Sequence, residues 1–161
     1  MQTHAIQLDE FDQEMATTRR LLERVPYDRG SWKPHEKSFP LGFLAQLVAW
    51  MPGWIANSLR EPDLDLANVE GYSYQTTEKL VADFDQHVKD ARAALAAVTG
   101  DSLDEQWALK HDDMVLLESK RGPVVRMHLR HLIHHRGQLT VYLRELDVPI
   151  PSIYGPSADE R

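Results

Sequence analysis

Cysteine is absent from this chain of 161 residues, and that absence decides several questions at once. No disulfide staples the fold, no thiolate of the protein acts as a nucleophile, and cysteine-rich structural zinc sites are excluded. Any metal must be held by nitrogen and oxygen donors. A chain without cysteine also fits a reducing compartment. Long hydrophobic runs are missing too. No segment approaches the roughly 20 apolar residues that span a bilayer, and the polar start Met1-Gln-Thr-His4 lacks the apolar stretch of a signal peptide, so a cytoplasmic protein is expected. Positive charge is in short supply: 18 basic against 25 acidic residues give a net charge of -7, which argues against nucleic acid as a partner. There is no internal repeat, no glycine-rich phosphate loop and no Ser-His-Asp pattern.

What the chain does have is helical periodicity. At this length a single domain over residues 1–161 can bury a core unaided. Apolar residues recur at three-and-four spacing in four segments, which predicts helices near about 6–25, 40–58, 76–98 and 123–147. Leu8, Phe11, Met15, Leu22 and Val25 form the first stripe, and Pro26 stops it. Leu41, Leu44, Leu47, Val48, Met51 and Ile55 form the second, with Ser38 placed to cap it and Pro52 placed to kink it. Leu80, Phe84, Val88, Ala91, Leu95 and Val98 form the third. Trp32, in the loop before the second helix, reads as a lid packed on the bundle. Arg60 to Gln75 has no steady period and reads as a long connection of the crossover kind. Ser102-Leu-Asp-Glu105 has the pattern of a capping box for a short helical turn ahead of Trp107. Strand signal is confined to a brief run, Met114 to Leu117. The expected class is therefore all-α, a four-helix bundle closed by an irregular strap from Pro149 onward.

The fourth helix carries the chemistry. Four of the eight histidines fall in the run His128-Leu-Arg-His131-Leu-Ile-His134-His135-Arg136-Gly-Gln138. At 3.6 residues per turn, His131 and His135 stand about 6 Å apart along one face, close enough to converge on one ion. His128 shares that face one turn earlier, and His134 points about 100° away from His135. Two readings stay open on these residues alone: a metal pair, or imidazoles placed for packing and capping. Gln138 and Tyr142 extend the polar band, and buried polarity of this kind needs partners. Lys120, Arg121, Arg126, Arg130, Arg136 and Arg144 read as a solvated basic face or as partners for carboxylates elsewhere, with anionic substrate as the alternative for some of them.

The segment from His131 through Arg136-Gly137-Gln138-Leu139 and Tyr142-Leu143-Arg144 to Tyr154-Gly-Pro-Ser-Ala-Asp-Glu160 resembles the DinB/YfiT-like metalloenzyme family. So does Leu41-Gly42-Phe-Leu44-Ala45 through Met51-Pro52-Gly53-Trp54, along with Leu21-Leu22-Glu-Arg-Val-Pro26 and Trp32-Lys33-Pro34-His35-Glu36-Lys37-Ser38. The resemblance spans nearly the whole chain. It implies a four-helix bundle of unusual connectivity, a homodimer, and a divalent ion such as zinc or nickel held by three histidines. Two of these carry over to His131 and His135. The third, from the second helix, falls at Leu47 in a gap-free alignment, and leucine has no lone pair to give. Gln46 is adjacent but about 100° around the helix. His128 is the foremost candidate for an extra ligand, ahead of His87, His35 and His111, while His4 reads as a surface residue. The resemblance further implies enzymes that activate a low-molecular-weight thiol or water on the ion, as transferases, isomerases or hydrolases. The alternative is a metal-free bundle that binds a small molecule or serves in a stress response.

Overall fold

The computed structural model describes residues 6–160, and the elements below lie within them. Four helices carry the fold: α1 Leu8–Leu22, α2 Leu41–Arg60, α3 Thr77–Ala97 and α4 Arg121–Glu145. Each predicted helix is present with its ends moved by a few residues. The core is built from their apolar stripes, with Phe11, Met15, Leu44, Met51, Phe84, Leu95, Leu132 and Leu139 all buried. α2 is the central element, packed against both α3 and α4. It also has the most complete apolar surface, and 13 of its 20 residues are buried, as expected for a helix covered on several sides.

The purely helical expectation needs correction. A three-stranded sheet, β1 Asp63–Asp65, β2 Gln106–His111 and β3 Met114–Lys120, lies in that order, with β1 parallel to β2 and β2 antiparallel to β3. The hairpin turns at Asp112-Asp113, with Asp112 at φ 52°, a left-handed conformation that a short polar side chain tolerates. Trp107 fastens the sheet to the bundle: it is 1% exposed, and its indole N–H donates to Asn57 Oδ1 at 3.3 Å.

Two local readings also change. Ser38 does not cap α2: its own N–H donates to His35 O in a turn, and Pro40 occupies the N-cap position with no side-chain cap. Proline suits that edge because its fixed φ costs the helix no donor it needs. Pro52 lies inside α2, which runs on to Arg60. The turn at Asp101–Asp104 forms, but Ser102 Oγ pairs back with Thr99 instead of closing a capping box. Trp32 is half-buried against the core and meets Tyr142 edge-on at 5.8 Å.

Candidate functional site: a histidine pair on the last helix

α4 presents His131 and His135 inward and His134 outward; His135 is buried, His131 half-buried and His134 exposed. The two Nε2 atoms of the inward pair stand 2.8 Å apart. One turn further, His135 Nδ1 lies 2.6 Å from Gln138 Oε1. An amide oxygen only accepts, so Nδ1 carries the proton and His135 Nε2 is left with its lone pair. His131 Nε2–H must then be the donor in the contact between the rings. Burial, reinforced by His135 and His134, lowers the pKa of His131, which favours the neutral ring.

This geometry bears directly on a metal. Two nitrogens bonded to one tetrahedral zinc lie roughly 3.4 Å apart, from bonds of about 2.05 Å. The pair is therefore about half an ångström tighter than a metal-holding pair, and a shared proton spans the gap. Gln138 is bonded as an outer partner of a histidine ligand would be. The donor set stops at two, however. Among the described residues no group of three histidine, aspartate or glutamate side chains could hold an ion. Leu47 is buried in α2 and supplies only hydrocarbon. Gln46 is engaged elsewhere, its Oε1 accepting from Ser73 N–H at 2.9 Å. The residues present thus fit a weak two-imidazole site and do not fit a tightly held resident cofactor.

The other candidates are dispersed. His128 is buried in an apolar box between Trp54 at 5.8 Å and Trp107 at 5.9 Å, and neither ring nitrogen has a hydrogen-bond partner among the described residues. Burial, with His131 adding to it, pushes its pKa down to about 4. His87 on α3 is half-buried and donates from Nδ1 to Ala49 O at 3.0 Å, beside the carbonyl that Pro52 deprives of its donor. His35 and His111 are exposed, and His4 lies outside the described residues. Tyr142 does not orient the pair; it packs on Trp32.

Two of the basic residues are buried and follow the second of their two readings, as partners for carboxylates: Arg136 with Glu14 and Arg121 with Glu105. Arg136, 1% exposed, donates to Glu14 O and Thr18 Oγ1 on α1 and to Tyr154 Oη on the strap. Arg121 donates to Ser58 O and Glu61 O, closing carbonyls at the carboxyl end of α2. The sequence placed both residues on α4 without showing the α1 and α2 carbonyls they would meet.

A four-helix bundle with an inward His-x-x-x-His pair followed by Arg-Gly-Gln defines a class of protein. The chain belongs to the DinB family, whose model matches residues 1–161. It is similar to the uncharacterized protein YrdA of Bacillus subtilis, 25% identical over 156 residues, covering 95% of this chain and 89% of that one. Two solved structures share the fold. A DinB-like protein, YjoA, from Bacillus subtilis superposes with a TM-score of 0.67 at 22% identity, over 96% of this chain and 97% of that chain. A DinB-like protein from Bacillus cereus gives 0.69 at 17% identity, over 91% and 95%.

Proposed function

We propose that the His131–His135 pair is the working site of this DinB-family protein, reduced from a metal centre to two imidazoles that share a proton. In this reading the protein takes up zinc or nickel only weakly and acts chiefly as a small-molecule-binding bundle. The observation that carries the reading is the 2.8 Å Nε2–Nε2 contact combined with hydrocarbon at Leu47. Catalytic zinc sites keep three protein ligands and one open position; two leave the ion largely to solvent. A polar ligand that parts the rings would meet a proton on His131 Nε2 and a lone pair on His135 Nε2, which suits hydrogen bonding.

The test is metal analysis of protein purified without a histidine tag, with thermal unfolding in added zinc or nickel, for the wild type and for Leu47→His. The wild type should hold well under one equivalent. The variant should approach one and gain a metal-dependent rise in Tm, because an ion bound only by the folded state stabilises it by mass action. A wild type with one tight equivalent, or a variant without metal-dependent stabilisation, would overturn the assignment.

A second reading is favoured by the Gln138–His135 contact at 2.6 Å, which suits a ligand histidine. In it the pair holds a divalent ion during turnover. The ion would supply its usual chemistry, a lowered pKa for a bound low-molecular-weight thiol or water. His131 and His135 would bind the ion, and Gln138 would fix the tautomer of His135. Metal-dependent consumption of a small thiol by the wild type would decide for this reading. The homodimer that family resemblance implies is a further expectation, checked by light scattering in solution.

A further inference from the structure

We propose that the cleft between α2, α3 and β1 is a second binding site, for a small organic cation: a protonated amine or amidine on a flat apolar body. The cleft has a volume of about 440 Å³, within the range that accommodates small molecules. It adjoins the histidine pair through Trp54, whose ring lies 6.5 Å from that of His131, but includes neither histidine of the pair.

Its walls follow from the sequence of α2. Trp50 and Trp54 stand one helical turn apart and both line the cleft. Gly53 lies beside them and lets α3 close in: a Cβ there would meet His87 Cδ2 at 3.0 Å. Neither tryptophan is part of the fully buried core; both are half-buried at its margin. Aromatic faces at that depth attract cations through the ring quadrupole and accept flat groups by stacking.

The polar groups point to the sign of the ligand. His87 Nδ1 is committed to Ala49 O, so the neutral ring presents the lone pair of Nε2, which makes no hydrogen bond among the described residues. Two carboxylates, Glu61 and Asp90, line the cleft against one guanidinium, Arg60. Arg60 is itself occupied, donating from Nη2 to Asp90 O at 3.0 Å, with Nη1 4.0 Å from the Asp90 carboxylate. Arg121, behind Glu61, is matched by Glu105 at 3.1 Å. Asn57 Oδ1 is taken by Trp107, which leaves its NH₂, with the indole N–H groups of Trp50 and Trp54, as the neutral donors lining the site that make no hydrogen bond among the described residues. A lone-pair nitrogen, an excess carboxylate and two indole rings, that of Trp50 stacked on Tyr72 at 5.0 Å, suit a ligand that donates hydrogen bonds and carries positive charge. An anion would meet the excess carboxylate unfavourably.

Calorimetric titration of the intact protein with benzamidine and phenethylamine, against neutral benzamide and anionic benzoate, tests this. We expect at least one of the two cations to bind saturably at 1:1, with benzamide at least tenfold weaker and benzoate silent. Backbone amide shifts should localise to Gly53, Asn57 and His87. Glu61→Gln and Asp90→Asn, both near the surface, should each weaken the cation at least threefold without changing the circular dichroism spectrum. Leu47→His should leave cation affinity unchanged, which separates this site from the histidine pair. Equal binding of benzamide, binding of benzoate, shifts centred elsewhere, or no saturable binding of either cation would overturn the proposal.

Discussion

His128 shows what one buried side chain does to the whole. It is 5% exposed, both nitrogens lack partners among the described residues, and two indole rings flank it. A polar atom buried without a partner costs about 1–3 kcal/mol, so this residue works against stability at any pH. Its folded-state pKa of about 4 lies below the ordinary histidine value of 6.5, so the unfolded chain takes a proton that the native state refuses. The stability at stake is fully present above pH 6.5 and drains away as pH falls toward about 4, where it levels off. The gap corresponds to ~3 kcal/mol at most. His131, one turn away on the same helix, adds to the same slope because burial lowers its pKa as well. His128→Leu should therefore be as stable as wild type or ~1–2 kcal/mol more stable at pH 7, by loss of the orphaned nitrogens. It should also lose distinctly less stability between pH 7 and 4.5 in urea titrations. An unchanged pH slope would show that His128 is hydrated or paired in solution.

At the scale of elements, helices were legible because a helix buries one stripe of its own residues, and the stripe is written locally. The sheet was not. β1 has three residues, and its partner in β2 lies some 45 positions later, Asp63 opposite Ala108, so no local pattern specifies it. β2 shows no inside-outside alternation, and its register with β3 slips at Leu109/Lys110. The one usable signal was Asp112-Asp113 ahead of Met114-Val115-Leu116, a two-residue hairpin loop written without glycine. The inward facing of the histidine pair was equally legible, since it rests on helical spacing. The positions of His87 and Arg136 were not, because each bonds to another helix. The join between the first loop and α2 hides a similar constraint at Gly42. A Cβ on Gly42 would lie 2.7 Å from Tyr74 Cδ1, 2.8 Å from Cγ and 2.9 Å from Cβ. The obstruction is the root of the tyrosine, which cannot swing aside as a ring edge would. Gly42→Ala gains about 1 kcal/mol of helix propensity yet loses more by overpacking, a cost of typically 1–3 kcal/mol. The net expectation is a destabilisation of ~1 kcal/mol, with Gly42→Ala/Tyr74→Ala relieving the clash in a double-mutant cycle. Additive effects of the two changes would refute the contact.

At the scale of the molecule, the strap after Pro149 ties together elements that touch little by themselves. Glu160 accepts from Ser152 N–H and from Arg20 and Arg24 on and just after α1, and these donors draw its pKa down to about 2, Ser152 first. Asp159 accepts from Ile150 N–H and Arg144. Between the two helices lies Arg136, whose Nη2 is 2.7 Å from both Tyr154 Oη and Glu14 Oε2. The Tyr154 hydroxyl in turn donates to Glu14 Oε1 at 2.9 Å. The contact with Oε2 is one of charge without hydrogen-bond alignment, since that oxygen is buried and has no hydrogen-bond donor. Glu14 is half-buried, so removing Arg136 alone leaves a carboxylate without its counter-charge. Breaking a buried pair from one side costs about 3–5 kcal/mol, whereas removing both charges costs far less. Arg136→Met should fall in the lower part of that range, because Glu14 keeps some access to water. Arg136→Met/Glu14→Gln should recover at least half the loss. Hydrogen exchange at Ile150 and Ser152 should accelerate in the single variant and return toward wild type in the double, because position 14 then no longer holds an uncompensated charge beside Tyr154. A double variant no more stable than the single would mean that Arg136 acts through its hydrogen bonds to Glu14 O and Thr18 alone, and that the strap is held from its acidic end.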